Sequence, residues 1–153
     1  MRKTYLFIVA LCCVFFSEAQ TYEYQVITSV ESIIPSGAGR SRLISTNEAR
    51  NYQDFTSERT DGKKTKDKRN KSDRSEIRVK NFEETKLLNF FNIAGIRFQN
   101  IAANDAVITS KINTMSSNGW ELAFVTSAVE SDAGKDDGKG IFITRYIFKK
   151  LKE

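Results

Sequence analysis

The sequence predicts an α+β domain, a small antiparallel sheet with a helix or helices packed on one face, preceded by an N-terminal signal segment. Three observations carry this prediction. Tyr22, Tyr24, Val26 and Thr28 alternate with Glu23, Gln25 and Ile27, the two-residue period of a half-buried strand. Ile108, Ile112 and Met115 recur at four and three residues, with Val107 widening the stripe, so this stretch reads as a helix with one apolar face. Trp120, Leu122 and Phe124 then alternate with Glu121, Ala123 and Val125, and the β-branched and aromatic run from Ile141 to Phe148 returns as the second strand of a long hairpin. Laying the helical stripe on the sheet is the simplest way to bury both.

Residues 1–19 stand apart from that domain. Arg2 and Lys3 give a basic start, Tyr5 to Phe16 is an apolar run, and Ser17-Glu18-Ala19 places small residues where a signal peptidase reads. The run is too short for a stable bilayer anchor. Cleavage after Ala19 leaves Gln20 first, and no stable membrane anchor. A lipoprotein signal is the rival, but Leu11 precedes Cys12 and Cys12 precedes Cys13, where a small residue is expected.

After Tyr22–Val30, Ser32-Ile33-Ile34 extends the first strand to Pro35, the only proline, and Ser36-Gly37-Ala38-Gly39 turns the chain. Arg40 to Ser45 returns as a second strand. At about 57–75 the character changes: Arg59 to Arg74 holds eight basic and three acidic side chains and almost nothing apolar, the composition of a mobile basic loop inside a single domain spanning 20–153. Ile77 and Val79 alternate with charges as a short strand would. Glu83 to Ile93 carries Leu87, Leu88, Phe90 and Phe91 at helical spacing behind two acidic residues, so a helix ending at Gly95 is expected there. The main helix is expected to be capped by Asn104 or Asp105 and stopped by Asn118-Gly119. The closing strand is apolar on both faces, which suits the middle of a sheet.

The pieces resemble a small bacterial domain family of unknown function, on Tyr22-Glu23-Tyr24, Lys111 to Met115, Asn118-Gly119-Trp120-Glu121-Leu122 and Tyr146 to Lys150. These elements cover roughly half of the chain after cleavage. A second resemblance is to exported bacterial proteins of unknown function with a GxGRSR turn, here Gly37 to Arg42. What the resemblance implies is fold and compartment. It carries no substrate and no catalytic residue.

Composition narrows the chemistry. The chain has no histidine, and its two cysteines, Cys12 and Cys13, leave with the signal segment. The exported form can make no disulfide and lacks the usual zinc or copper ligands, so no cofactor is expected. The net charge of +5 falls by one on cleavage, a mild attraction toward anionic surfaces.

The sharpest chemical feature is Ser36 to Arg42. Gly37 and Gly39 allow backbone N–H groups to converge, and Arg40, Ser41 and Arg42 could clamp a phosphate, sulfate or carboxylate. It lacks the Gly-Lys-Ser/Thr ending of a nucleotide phosphate loop, and a plain glycine turn with arginines facing solvent competes with the anion site. The basic loop Lys63 to Arg74 has no aromatic residue for stacking bases, and export removes DNA as the usual partner, so nucleic acid is disfavoured. Asp132, Asp136 and Asp137 lack the order and closing glutamate of a calcium loop and sit beside Lys135 and Lys139. Trp120 and the tyrosines read as core before they read as a ligand pocket. Glu121 reads as an exposed residue paired with Arg145 across the hairpin.

With no nucleophile–base arrangement, the expectation is an exported, non-catalytic binding or interaction module in the periplasm or outside a bacterial cell. Its partner is an envelope protein or an anionic ligand, and the sequence leaves room for a homo-oligomer. The alternative is a small carboxylate-dependent hydrolase of the cell envelope, with Glu121 and an acid of the 130–137 loop as its candidates. Mass and N-terminal analysis of the protein from an exporting bacterial host should find Gln20 first. An intact Met1 on chain retained in the cytoplasm would remove the signal segment from this picture.

Overall fold

Strand-forming stretches near the two ends of the chain pair along their full length. In the computed structural model β1 (Tyr22–Ser32) and β7 (Ile141–Leu151) run antiparallel from Tyr22 opposite Leu151 to Ser32 opposite Ile141. The structure describes residues 20–32, 41–58, 70–92, 94–130 and 140–152. The expected signal segment 1–19, the glycine turn at 36–39, residues 59–69 of the basic loop and the acidic loop with Asp132, Asp136 and Asp137 lie outside the described residues.

Two further strands flank that pair on one side and one on the other. β2 (Arg42–Ser45) pairs with β1, β3 (Glu83–Lys86) pairs with β2, and β6 (Glu121–Glu130) pairs with β7. The result is a five-stranded antiparallel sheet in the order β3-β2-β1-β7-β6. The closing strand therefore sits inside the sheet, as its two apolar faces require. A separate two-stranded ribbon joins β4 (Phe91–Asn92) to β5 (Gly95–Ile96).

The pairing register sorts the side chains. Gln25, Ile27, Ser29 and Glu31 share one face with Leu43 and Ser45 of β2 and with Phe142, Thr144, Tyr146 and Phe148 of β7. The long helix covers this face. Ile108 and Met115 join Ile27, Leu43, Leu87 and Phe148 in the core, with Val107, Ile112, Trp120 and Tyr146 packed around them. Phe148 is 1% exposed, the largest fully buried side chain among the described residues.

Three local expectations are corrected. First, the stretch from Glu83 is a strand and then a ribbon, not a helix. β2 offers an open row of backbone groups, and Glu83–Lys86 fills it, with Ser45 Oγ donating to Glu83 at 2.8 Å. Pairing outweighs helical spacing here. Leu87 drops into the core, while Phe90 meets Phe142 with ring centroids 5.7 Å apart. Gly95, expected as a helix stop, lies in β5 with φ of 109°, a conformation that favours glycine.

Second, the segment around Ile77 is not a strand but a single helical turn, α1 (Arg74–Ile77), whose start is held by the Glu76 carboxylate accepting the Asp73 N–H at 3.1 Å.

Third, α2 (Phe98–Ser117) begins before Asn104, so neither Asn104 nor Asp105 caps it. The ribbon supplies the start instead: the Arg97 N–H donates to the Phe90 carbonyl at 2.8 Å. The end is as expected. Gly119 takes φ of 82°, its N–H reaches the Ser116 carbonyl at 2.9 Å, and the Trp120 N–H reaches that of Met115 at 3.1 Å. That pair of bonds is a Schellman stop.

Truncating Phe148 to alanine empties the centre of the core and should cost about 3–5 kcal/mol. Thr126→Ala, on an exposed strand, should stay within about 0.5 kcal/mol. Urea unfolding of both variants checks the contrast, and equal losses would misplace the core.

Candidate interaction surface

Of the glycine–arginine turn, Ser41 and Arg42 fall among the described residues, while Gly37, Gly39 and Arg40 lie outside them. Ser41 is buried at the junction of β1 and β2. Its Oγ accepts the Ser32 N–H at 2.9 Å and donates to Asn89 Oδ1 at 2.8 Å, and its carbonyl accepts the Leu87 N–H at 3.1 Å. Arg42 opens β2 on the other face of the sheet. Its Nε pairs with the Glu84 carboxylate and its Nη1 donates to the Ser41 carbonyl at 2.7 Å. Both residues are thus held by partners within the protein. They tie the chain after Arg40 to the sheet.

A cluster that the sequence reading did not single out lies under α2. Asn104, 1% exposed, accepts the Leu88 N–H on Oδ1 at 2.7 Å. Its Nδ2 donates to the Leu88 carbonyl at 2.8 Å and to Glu31 Oε2 at 2.9 Å. Tyr146 and Ser29 complete the cluster beside Glu31. A signal was present in the spacing: Asn104 precedes Ile108 by four residues and so shares the buried stripe of the helix.

Burial pushes the Glu31 carboxyl above its ordinary value; the Asn104 hydrogen bond opposes this and the nearby charge of Asp105 adds to it. The Tyr146 hydroxyl is also raised, first by burial. Because the folded chain holds the Glu31 proton more tightly than the unfolded chain, ionising Glu31 lowers stability as pH rises through its raised value. Below the ordinary carboxylate value that cost is absent.

Two other carboxylates have the opposite bias. Ser45 to Glu48 and Asn81 to Glu83 line a cleft of about 480 Å³. Glu48 accepts the backbone N–H groups of Lys80 at 2.9 Å and Asn81 at 3.1 Å, and Arg50 Nη2 at 2.6 Å. The Asn81 N–H and then Arg50 lower its pKa to about 2. Glu83 is lowered by Lys111, whose Nζ lies 2.7 Å from Oε2, and by Ser45. Both groups stay ionised at neutral pH, so neither is a proton donor of the kind that glycoside cleavage needs.

Glu121 lies on the sheet face away from the helix. It pairs with Lys149 at 3.2 Å, not with Arg145, because the β6–β7 register sets Glu121 opposite Lys149 and Thr126 opposite Arg145. The bulge at Ala123, between Leu122 and Phe124, falls within this register. Among the described residues no three His, Cys, Asp or Glu side chains gather as metal ligands.

That second face is the most distinctive surface of the domain. Val26 of β1, Ile147 of β7 and Phe124 of β6 lie side by side across it, by register, and Tyr24 stands two residues along β1 from Val26, opposite Lys149. Tyr24 is 64% exposed and Phe124 61%. Next to this row lie Thr28, Arg145 and Thr126. Arg145 is exposed, and among the described residues no carboxylate pairs with it. No protein-family model matches the chain, and neither a curated protein nor a solved structure matches it.

Glu31→Gln removes an ionisation that the fold disfavours. Its melting temperature should exceed the wild type's at pH 7, and the excess should vanish toward pH 4. A melting temperature below wild type at pH 7 would mean that the Asn104 bond to the charged form outweighs its burial.

Proposed function

We propose that this chain is an exported, non-catalytic binding module that works through the face of its sheet opposite α2. The partner is a protein of the bacterial cell envelope that presents an apolar surface bearing a carboxylate. One observation carries this: an exposed patch made by Val26 and Phe124 on either side of Ile147 with Tyr24 next along β1, the guanidinium of Arg145 beside it and no carboxylate of the described residues paired with that guanidinium. Exposed contiguous apolar surface is commonly a place of contact, and an aromatic and arginine content is typical of contact centres. The basic start, apolar run and small-residue end of residues 1–19 support export. Against the hydrolase alternative, the cleft carboxylates Glu48 and Glu83 are both held ionised, and Glu121 is committed to Lys149.

A photo-crosslinking amino acid placed at Tyr24 tests this in the native host, with the same probe at Asn113 on the outer side of α2 as control. The expected result is one discrete adduct from position 24 that Arg145→Glu reduces by roughly tenfold, as loss of a contact charge pair should. Equal labelling from both positions, or an adduct indifferent to Arg145→Glu, would sink the proposal. An anion that raises the melting temperature in place of any protein adduct would move the binding role to a small ligand.

A further inference from the structure

The two edges of the sheet are built differently. β3 is four residues long and carries Glu83, Glu84 and Lys86, three charges that discourage another strand from adding there. β6 is ten residues long, and from Leu122 to Val129 it carries no charge at all. Every residue of β6 is exposed, on both faces. The helix does not cover this edge: Lys111 of α2 reaches Glu83 on β3, and the core that α2 completes is drawn from β1, β2, β7 and Leu87. Among the described residues no strand pairs with the outer edge of β6, and a long, uncharged edge of this kind presents N–H and C=O groups to any complementary strand.

We infer that β6 pairs with β6 of a second copy of this chain, antiparallel and about a two-fold axis, to make one continuous ten-stranded sheet. A second copy is favoured over an unrelated peptide because the strand is complementary to itself. A two-fold axis normal to the sheet keeps both helices on one face and sets a central residue opposite its own counterpart. The bulge at Ala123 ends the regular ladder, which leaves Phe124–Glu130 as the stretch that pairs without interruption. Its centre is Ser127. About that centre Val125 faces the other copy's Val129, Thr126 faces Ala128, and Phe124 faces Glu130. Each pair lies on a single face, as the β6–β7 register requires. The β-branched pair occurs twice, and no two like charges meet. Val129, 57% exposed in the single chain, gains a neighbour.

This inference concerns the edge of the sheet and is independent of the partner proposed for its face. Light scattering on the purified full chain across a dilution series tests it, with Ser127→Lys and Ser127→Glu as variants at an exposed position. The wild type should have twice the mass of one chain. Each variant should be monomeric with unchanged circular dichroism, since like charges then face each other at the axis. An equimolar mixture of the two should recover the dimer. A wild type that stays monomeric overturns the inference, as does a dimer that survives in both variants or a mixture that stays monomeric. Should a variant misfold, amide exchange in wild-type residues 124–130 decides: slowing with concentration supports the pairing, and no slowing overturns it. Arg145→Glu should leave the dimer intact, so loss of the dimer and loss of the face partner are separate results. A dimer abolished by Arg145→Glu would assign self-association to the face and overturn the edge pairing.

Discussion

The antiparallel ladder between β1 and β7 is the constraint on which the other elements depend. It joins residues more than a hundred positions apart, so it supplies no local reward until the intervening chain has been brought round. Once formed, it sets every other partner. Its register puts Ile27 and Phe148 on one face, where α2 covers them, and Val26 and Ile147 on the other, where no helix of the described residues does. β2 and β6 then extend the pair in opposite directions. A slip of one residue along this ladder would exchange the two faces of β7 and leave Phe148 on the wrong side.

The helix is fixed on that platform by apolar contact and by one polar residue. Ile108 and Met115 supply area, which is non-directional. Asn104 supplies direction: its amide satisfies both backbone groups of Leu88 and one oxygen of Glu31. A buried amide with its donors and acceptor engaged sets position along the helix axis more strictly than a row of aliphatic side chains can. Glu31, raised by burial, is placed so that its partner sits within this same contact. Charge at Glu31 and seating of α2 are therefore linked.

Much of this architecture was legible because a single physical rule governed each readable stretch. The alternation in Tyr22–Val30 and the apolar closing run described two strands that pair in the middle of the sheet, and Asn118-Gly119 stopped the helix through a conformation that glycine adopts without strain. The stretch from Glu83 to Ile93, expected as a helix, is misread because two rules conflict there. Its apolar spacing favours a helix, but an open strand edge recruits the charged half as β3, and the apolar half is divided between core and ribbon. Asn104 was misread for a similar reason. An asparagine ahead of an apolar stripe resembles a cap, and only the tertiary contact with Leu88 shows that it belongs to the stripe itself. The glycine–arginine stretch stands out by composition, whereas the face opposite α2 does not: Tyr24, Arg145 and Phe124 come together only through strand order.

The ladder that organises the fold also brings Thr21 beside Lys152, whose N–H donates to the Thr21 carbonyl at 2.9 Å. Tension applied between those two residues acts at one end of the longest pairing and across its bonds. The bonds then carry load one after another, as in a zip, and not together as in shear. A fold built this way yields readily to a pull at that corner. Its mechanical weakness lies where its chain begins and ends the sheet.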